Sequence, residues 1–305
     1  MPVMKSIFYI LLLGLLGFNY IHTTMSLLFS LPKLVRSTII KRPSAIIKSP
    51  YVADIVVEQV PYLAHSASLG CCGLADNGAT VWLQEMAGKK EKCSYRVCLS
   101  EHTETDKGRV LVGVYPKHAE DLVESAISGN KLSALQNVKG YRREQVVKYP
   151  GFVDSRFDFS GIDKDGIPFL LEVKTVPLAA YEDIRHADRK KNKKDYRDWE
   201  FMEKTAYFPD GYRKKDDDPV SPRALKHIRE LELIRKNTQV RCIMCYVVQR
   251  SDINRFTLSA IDPEYRSAVL GARENGVEII VMQVDWRVVN GNGEAHFISD
   301  NIPVV

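Results

Sequence analysis

The chain reads as α/β: a small β-barrel followed by a larger domain of alternating strands and helices. Two observations predict this. Between Tyr51 and Val114 the sequence is a series of short, β-branched apolar runs broken by Gly, Asn, Lys and Asp. From about Gly140 the runs follow the order strand, helix, strand, helix, strand, which is that of an α/β domain. The 305 residues suit one large domain or two ordinary ones, and 45% hydrophobic with 27% charged residues is a globular composition. A net charge of +5 permits a nucleic-acid partner without requiring one.

The first 53 residues contain no Asp or Glu, and their basic residues are interleaved with Ser and Thr. Ile7 to Phe18 is almost wholly apolar and follows Lys5. As a helix it would be about 18 Å long at roughly 1.5 Å per residue, short of the roughly 30 Å hydrocarbon core. The segment 1–53 therefore reads as a targeting segment, a signal joined to an organellar transit region, or else as a membrane anchor with a basic linker. Delivery to a plastid or mitochondrion is the expectation, and contact with a membrane only if the segment is retained. It is set aside from the fold.

Residues 54–115 follow as the β domain. ADIVVEQV, ATVWLQEM, YRVCLSEH and RVLVGVYP are its strands, and a five-stranded barrel of the OB type fits their spacing. The second domain spans 116–305. AEDLVESAIS, Ala119 to Ser128, is a helix stopped by Gly129. VVKYP, RFDFSGI and FLLEVKTV are successive strands, the last two joined by a turn at Asp163-Lys164-Asp165-Gly166. RALKHIRELELIRK is amphipathic, with Leu225, Ile228, Leu231 and Ile234 inward. VRCIMCYVVQR is a buried strand, PEYRSAVLGARENG a helix, and VEIIVMQVDW a last strand. The charged stretch His186 to Lys204 has no apolar face. It reads as a solvated loop, or as a phosphate contact through Arg189 to Lys194 with Tyr196 and Trp199 behind it.

Cys242 and Cys245 have CxxC spacing, but no second pair exists to complete a zinc site. Their run, CIMCYVV, is that of a core strand. Cys71 and Cys72 are neighbours, poorly placed to bridge, so a reducing compartment is the simpler reading.

The chemistry sits in SRFDFSGIDKDGIPFLLEVKTV. A hairpin puts Asp158 and Glu172 on adjacent strands. Glu172 and Lys174 are two apart and share a face. Both interrupt an apolar run, and charges beside a core are costly unless paired or metal-bound. Two carboxylates with a lysine suit a hard divalent cation, Mg2+ or Mn2+. A salt-bridged structural hairpin is the bland alternative.

Asp, a variable gap, then Glu-x-Lys resembles the signature of the PD-(D/E)xK nuclease superfamily. More of the chain is similar to the sugar fermentation stimulation protein A (SfsA) family: SRFDF, LLEVKTV, Phe208-Pro209-Asp210, RALKHIREL, YVVQR, IDPEY and GVEI, in that order and spacing. TVWL at Thr80 to Leu83 and VGV at Val112 to Val114 also fit, so the resemblance runs from about Ala53 to Trp286. It implies an OB-like barrel joined to a PD-(D/E)xK (restriction-endonuclease-like) α/β domain. It also implies a DNA-binding protein with metal-dependent nuclease activity, the alternative being a non-catalytic DNA-binding regulator. Asp158, Glu172 and Lys174 take the metal and catalytic positions, with Glu144 as the acidic residue that precedes the motif. Arg156, Asp210, Arg223, Lys226 and His227 fit positions around the site as nucleic-acid contacts. The implied partner is nucleic acid, DNA ahead of RNA. A homodimer is admitted, and no small-molecule cofactor is expected. The chain departs from the family at Ser66 to Leu69, where a Pro-Asn-Thr is expected, at Tyr115, where an Asn is expected, and in a longer connection from Tyr181 to Lys204.

Overall fold

The computed structural model describes residues 26–67, 71–87, 92–104, 108–149, 151, 153–196, 198–199, 203–211 and 218–305. The elements in chain order are β1 (Ser26–Leu31), β2 (Leu34–Lys41), β3 (Val52–Val57), β4 (Val60–His65), β5 (Thr80–Glu85), β6 (Tyr95–Glu104), β7 (Gly108–Gly113) and α1 (Pro116–Ser128). They continue with β8 (Gly140–Tyr149), β9 (Val153–Ile162), β10 (Pro168–Val176), β11 (Ala179–Ala180), α2 (His186–Asn192), β12 (Thr205–Phe208) and α3 (Pro222–Asn237). The last are β13 (Arg241–Val248), β14 (Phe256–Leu258), α4 (Pro263–Glu274), β15 (Glu278–Val289) and β16 (Asn292–Ser299).

The barrel is built from β2 to β6. β2 pairs with β3 and β5, β3 with β4, β5 with β6, and a parallel β4–β6 contact closes the ring. That is five strands in the expected OB-like arrangement, but with a different first strand. ADIVVEQV is not one strand. Glu58 and Gln59 both have positive φ, 48° and 66°, and turn the run into the β3–β4 hairpin. The barrel's remaining strand comes from the segment set aside as an address. β2 alternates buried and exposed residues, and Ile39 is fully buried in the barrel core. β1, also from that segment, pairs with β16 near the C-terminus. The segment 1–53 is thus part of the folded body from Ser26 onward. An acid-free, hydroxylated, basic composition suits strands whose inner face is apolar as well as it suits transit peptides. The apolar stretch Ile7 to Phe18 lies outside the described residues. Among the described residues no helix is long and apolar enough to cross a membrane.

Barrel and α/β domain share one sheet, thirteen-stranded among the described residues, ordered β4-β3-β2-β5-β6-β7-β15-β13-β10-β9-β8 with β16 and β1 branching from β15. Gly113 stands at the join. A Cβ there would lie 2.3 Å from Gln249 Oε1 and 2.7 Å from Trp286 Nε1, so only glycine lets β7 meet β15. In the α/β domain β10, β13 and β15 run parallel. α1 covers one face with Phe159, Leu171, Val173 and Cys245, and α3 with α4 covers the other with Phe157, Leu170, Cys242 and Met244. Cys242 and Cys245 therefore belong to opposite cores, consistent with packing rather than a shared zinc.

Candidate active site

β9 and β10 pair from Ile162↔Pro168 to Phe159↔Leu171, and the ladder stops where Asp158 would face Glu172. The Asp158 carboxylate takes over at that point, accepting the Val173 N–H at 2.7 Å. β9 also changes face here, since Phe157 enters the α3 core and Phe159 the α1 core. Across the strand pair, the β8–β9 ladder skips Glu144 and Asp158 while keeping register on both sides. Glu144 has φ of 56°, a strained value for a non-glycine residue. The splayed strands leave a pocket of ≈ 490 Å³, lined among others by Asp158, Glu172, Lys174, Glu120, Arg223, Phe208 and Tyr51.

Glu172 is 2% exposed. Its Oε1 accepts from Lys174 Nζ and contacts His227 Nδ1, while its Oε2 is buried with no partner among the described residues. Burial pushes its carboxyl up, but Lys174 and His227 more than offset this and hold it below its ordinary value. Asp158 has the opposite fate. Burial first, and the charge of Glu172 second, raise its carboxyl to about 7. A buried carboxylate pair with one unused oxygen and an excess of negative charge fits a divalent cation. Mg2+ commonly binds through only one or two carboxylates, completing its shell with water and substrate phosphate. Among the described residues no three His, Cys, Asp or Glu side chains converge as a ready-made metal cage.

The structure rearranges the supporting cast. Glu144, the expected third carboxylate, is an exposed surface residue whose side chain pairs with Lys117 at 3.2 Å and Arg156 at 3.5 Å. It is exposed in step with Arg142 and Val146 on the outer face of β8. The acid that does line the pocket is Glu120 of α1, held by Lys117 at 2.6 Å and Arg143 at 3.0 Å, and its charge adds to the upward pull on Asp158. Sequence alone does not single it out from Asp121 and Glu124 on the same helix. His227 does not lie on the helix surface. It is 4% exposed, lies against Phe157 with ring centroids 5.8 Å apart, and holds Glu172 from behind. Of the basic pair on α3, Arg223 lines the pocket, whereas Lys226 is turned to the Asp154 carbonyl at 2.7 Å and to Glu230. Arg156 is exposed beside Glu144.

Asp210, expected among the nucleic-acid contacts, is committed within the fold. It is buried and accepts from His186 N–H at 3.0 Å, Gly211 N–H at 2.7 Å and the Tyr207 hydroxyl at 3.3 Å. It fastens α2 to β12. The basic run that begins at Arg189 is largely committed. Arg189 donates to the carbonyls of Glu182 and Ile184 and to Tyr207, Lys190 and Lys191 face Asp76 and Asp188, and Lys194 bonds Glu182 at 2.5 Å. Tyr196 and Trp199 pack with Tyr181 instead of standing free.

Comparison with known proteins agrees with this architecture. The family profile described as "Sugar fermentation stimulation protein RE domain" matches residues 198–289. A "Sugar fermentation stimulation protein homolog" of Azorhizobium caulinodans is 33% identical over 80% of this chain and 90% of its own length. One from Jannaschia sp. is 31% identical over 77% of this chain and 83% of its own. Among solved structures, "The structure of Pyrococcus Furiosus SfsA in complex with Ca2+" superposes with a TM-score of 0.66 at 18% identity, covering 92% of this chain and 99% of that one. The chain belongs to the sugar fermentation stimulation protein family.

Proposed function

We propose that the chain is a metal-dependent nuclease of the PD-(D/E)xK type, hydrolysing phosphodiesters of DNA or RNA. The observation that carries this reading is the buried Oε2 of Glu172, without a partner among the described residues, beside an Asp158 carboxyl raised to about 7. A fold that needed only to bind nucleic acid has no use for such a pair, whose repulsion weakens the folded state. The Pyrococcus furiosus relative was solved in complex with Ca2+, which supports a hard divalent ion on the same fold.

Asp158 and Glu172 would hold Mg2+ or Mn2+, with Glu120 facing the same pocket. A bound ion of this kind polarises the phosphodiester and acidifies water. The chain's own residues do the rest. As a water oxygen adds to phosphorus and the bond to the leaving sugar oxygen breaks, negative charge grows on the phosphoryl oxygens. Lys174, fixed on Glu172, orients that water or offsets that charge. His227 and Lys174 together occupy Oε1, which reserves Oε2 for the ion. Arg223 lines the pocket with no ion-pair partner among the described residues and is free to meet a phosphate.

The test is cleavage of labelled single- and double-stranded DNA and RNA with Mg2+, Mn2+ or chelator. Metal-dependent cleavage by the wild type that Asp158→Asn abolishes is expected. Equal cleavage by the variant, or none by the wild type with any of the four substrates, overturns the reading in favour of a non-catalytic DNA-binding regulator.

A further inference from the structure

Part of the pocket wall does not belong to the α/β domain. Tyr51 directly precedes β3 and Ala67 follows β4, so both come from one end of the barrel. The Tyr51 carbonyl accepts the Ser66 N–H at 2.9 Å, which pins these two loops to each other. Tyr51 is 43% exposed, and among the described residues it is the only Phe, Tyr or Trp that is exposed at all beyond the intermediate range. A globular chain buries its aromatics where it can. Tyr51 stands open at the rim of the carboxylate pocket, where its side chain is accessible to a ligand held there. Phe208 lines the same pocket and is held from behind by Tyr265, with ring centroids 5.4 Å apart, and Tyr246 at 5.8 Å. Pro116 and Ala224 add apolar surface.

One pocket thus places a carboxylate pair suited to a cation, a guanidinium without an ion-pair partner among the described residues, and an apolar wall with an exposed aromatic. At ≈ 490 Å³ it lies in the range of small-ligand sites. The ligand that matches all three is a phosphate with a flat ring attached. Bases in a duplex are stacked and paired, and their faces are not available to a side chain. In a single strand every base offers a π-face.

We propose that Tyr51 is a substrate-positioning residue whose ring takes the face of an unpaired nucleobase beside the scissile phosphate, so that the substrate is single-stranded nucleic acid or a single-stranded end. This rests on the nuclease reading, and it makes the site incomplete without the barrel. Tyr51 does not touch the reacting phosphorus. It fixes which strand geometry reaches the carboxylates.

The experiment uses the full chain carrying Tyr51→Ala or Tyr51→Phe, each alone and combined with Asp158→Asn. Single-stranded oligodeoxynucleotides with one 2-aminopurine moved through successive positions report stacking by fluorescence quenching, with no cleavage required. Quenching at one position by Asp158→Asn is expected. Tyr51→Ala should remove it and weaken single-strand binding about ten-fold or more, while Tyr51→Phe keeps both. In the catalytic background, Tyr51→Ala should raise KM for single strands and leave the melting temperature unchanged. Quenching that Tyr51→Ala does not alter, a Phe variant as weak as the Ala one, or duplex cleaved as well as single strand overturns the proposal. If quenching behaves as expected but the wild type cleaves nothing, the base site stands and the nuclease reading falls. If the wild type cleaves and no position quenches, the reverse holds.

Discussion

Replacing Asp158 with Asn should stabilise the metal-free protein in alkaline solution while removing its affinity for metal. Burial, then the Glu172 charge, raises the Asp158 carboxyl from an ordinary 3.8 to about 7. A raised carboxyl costs the fold nothing while both states keep the proton, and destabilises it once the unfolded chain ionises. Below about 4 it is protonated in both folded and unfolded chains, and the fold carries no penalty. As pH climbs from there to 7 the unfolded chain ionises first, and stability drains away until the folded carboxyl also ionises. The loss above pH 7 is at most about 4 kcal/mol, at 1.36 kcal/mol for each factor of ten in acidity. Asn keeps an acceptor for the Val173 N–H and carries no charge. The variant should therefore melt higher than wild type above pH 7 in EDTA, by roughly 4 °C or more, and the gap should shrink towards pH 4. Adding Mn2+ should raise the wild-type melting temperature and leave the variant's unchanged. Thermal melts from pH 4 to 9, with EDTA and with Mn2+, measure all of this. A variant no more stable than wild type at pH 8.5, or a gap independent of pH, would refute the electrostatic account of the site.

Three further outcomes are expected. Lys174→Ala should lower cleavage about 10²- to 10³-fold with Mn2+ affinity by calorimetry changed little, because its charge acts where charge develops. Glu120→Gln should weaken Mn2+ binding several-fold while Glu144→Gln does not, since only Glu120 lines the pocket; the opposite ranking would restore Glu144. Deleting residues 1–53 should give an unfolded or aggregated product by circular dichroism and thermal melting, since it removes β1 and β2.

Much of the α/β domain is legible in the sequence because its signals are periodic. The stripe of Leu225, Ile228, Leu231 and Ile234 gives α3, all four residues being buried. Asp262 caps α4 by accepting the Tyr265 N–H at 3.0 Å, and Pro263 opens it. β2 escapes a sequence reading because composition outweighs alternation. In LVRSTIIK the buried residues are Leu34, Ser37 and Ile39, and two of its exposed ones are Thr38 and Lys41, a strand pattern hidden inside a basic, acid-free stretch. The β3–β4 turn escapes it because Glu58-Gln59 lacks the Asn or Gly that left-handed φ favours, so nothing in the run marks a break.

At the site, the part carried by one strand is legible and the part carried by other elements is not. Strand alternation alone puts Glu172 and Lys174 on one face. Glu120 arrives from a helix some fifty residues upstream, and only the three-dimensional course of the chain brings it there. His227 is an intermediate case. Ala224, His227, Ile228, Leu231 and Ile234 are all buried, at spacings of three and four, so His227 stands within the apolar stripe of its helix. A histidine in such a stripe must find a partner, and a buried carboxylate is the natural one. The basic run from Arg189 is the converse case. Charge counted along a sequence says nothing about which charges are already answered. Here Asp76, Glu182 and Asp188 answer most of them, while Arg223, one cation in an unremarkable helix start, is left facing the carboxylates. Affinity for a polyanion follows from cations that remain unpaired in the fold, and Arg223 at the pocket beside Asp158 has no ion-pair partner among the described residues.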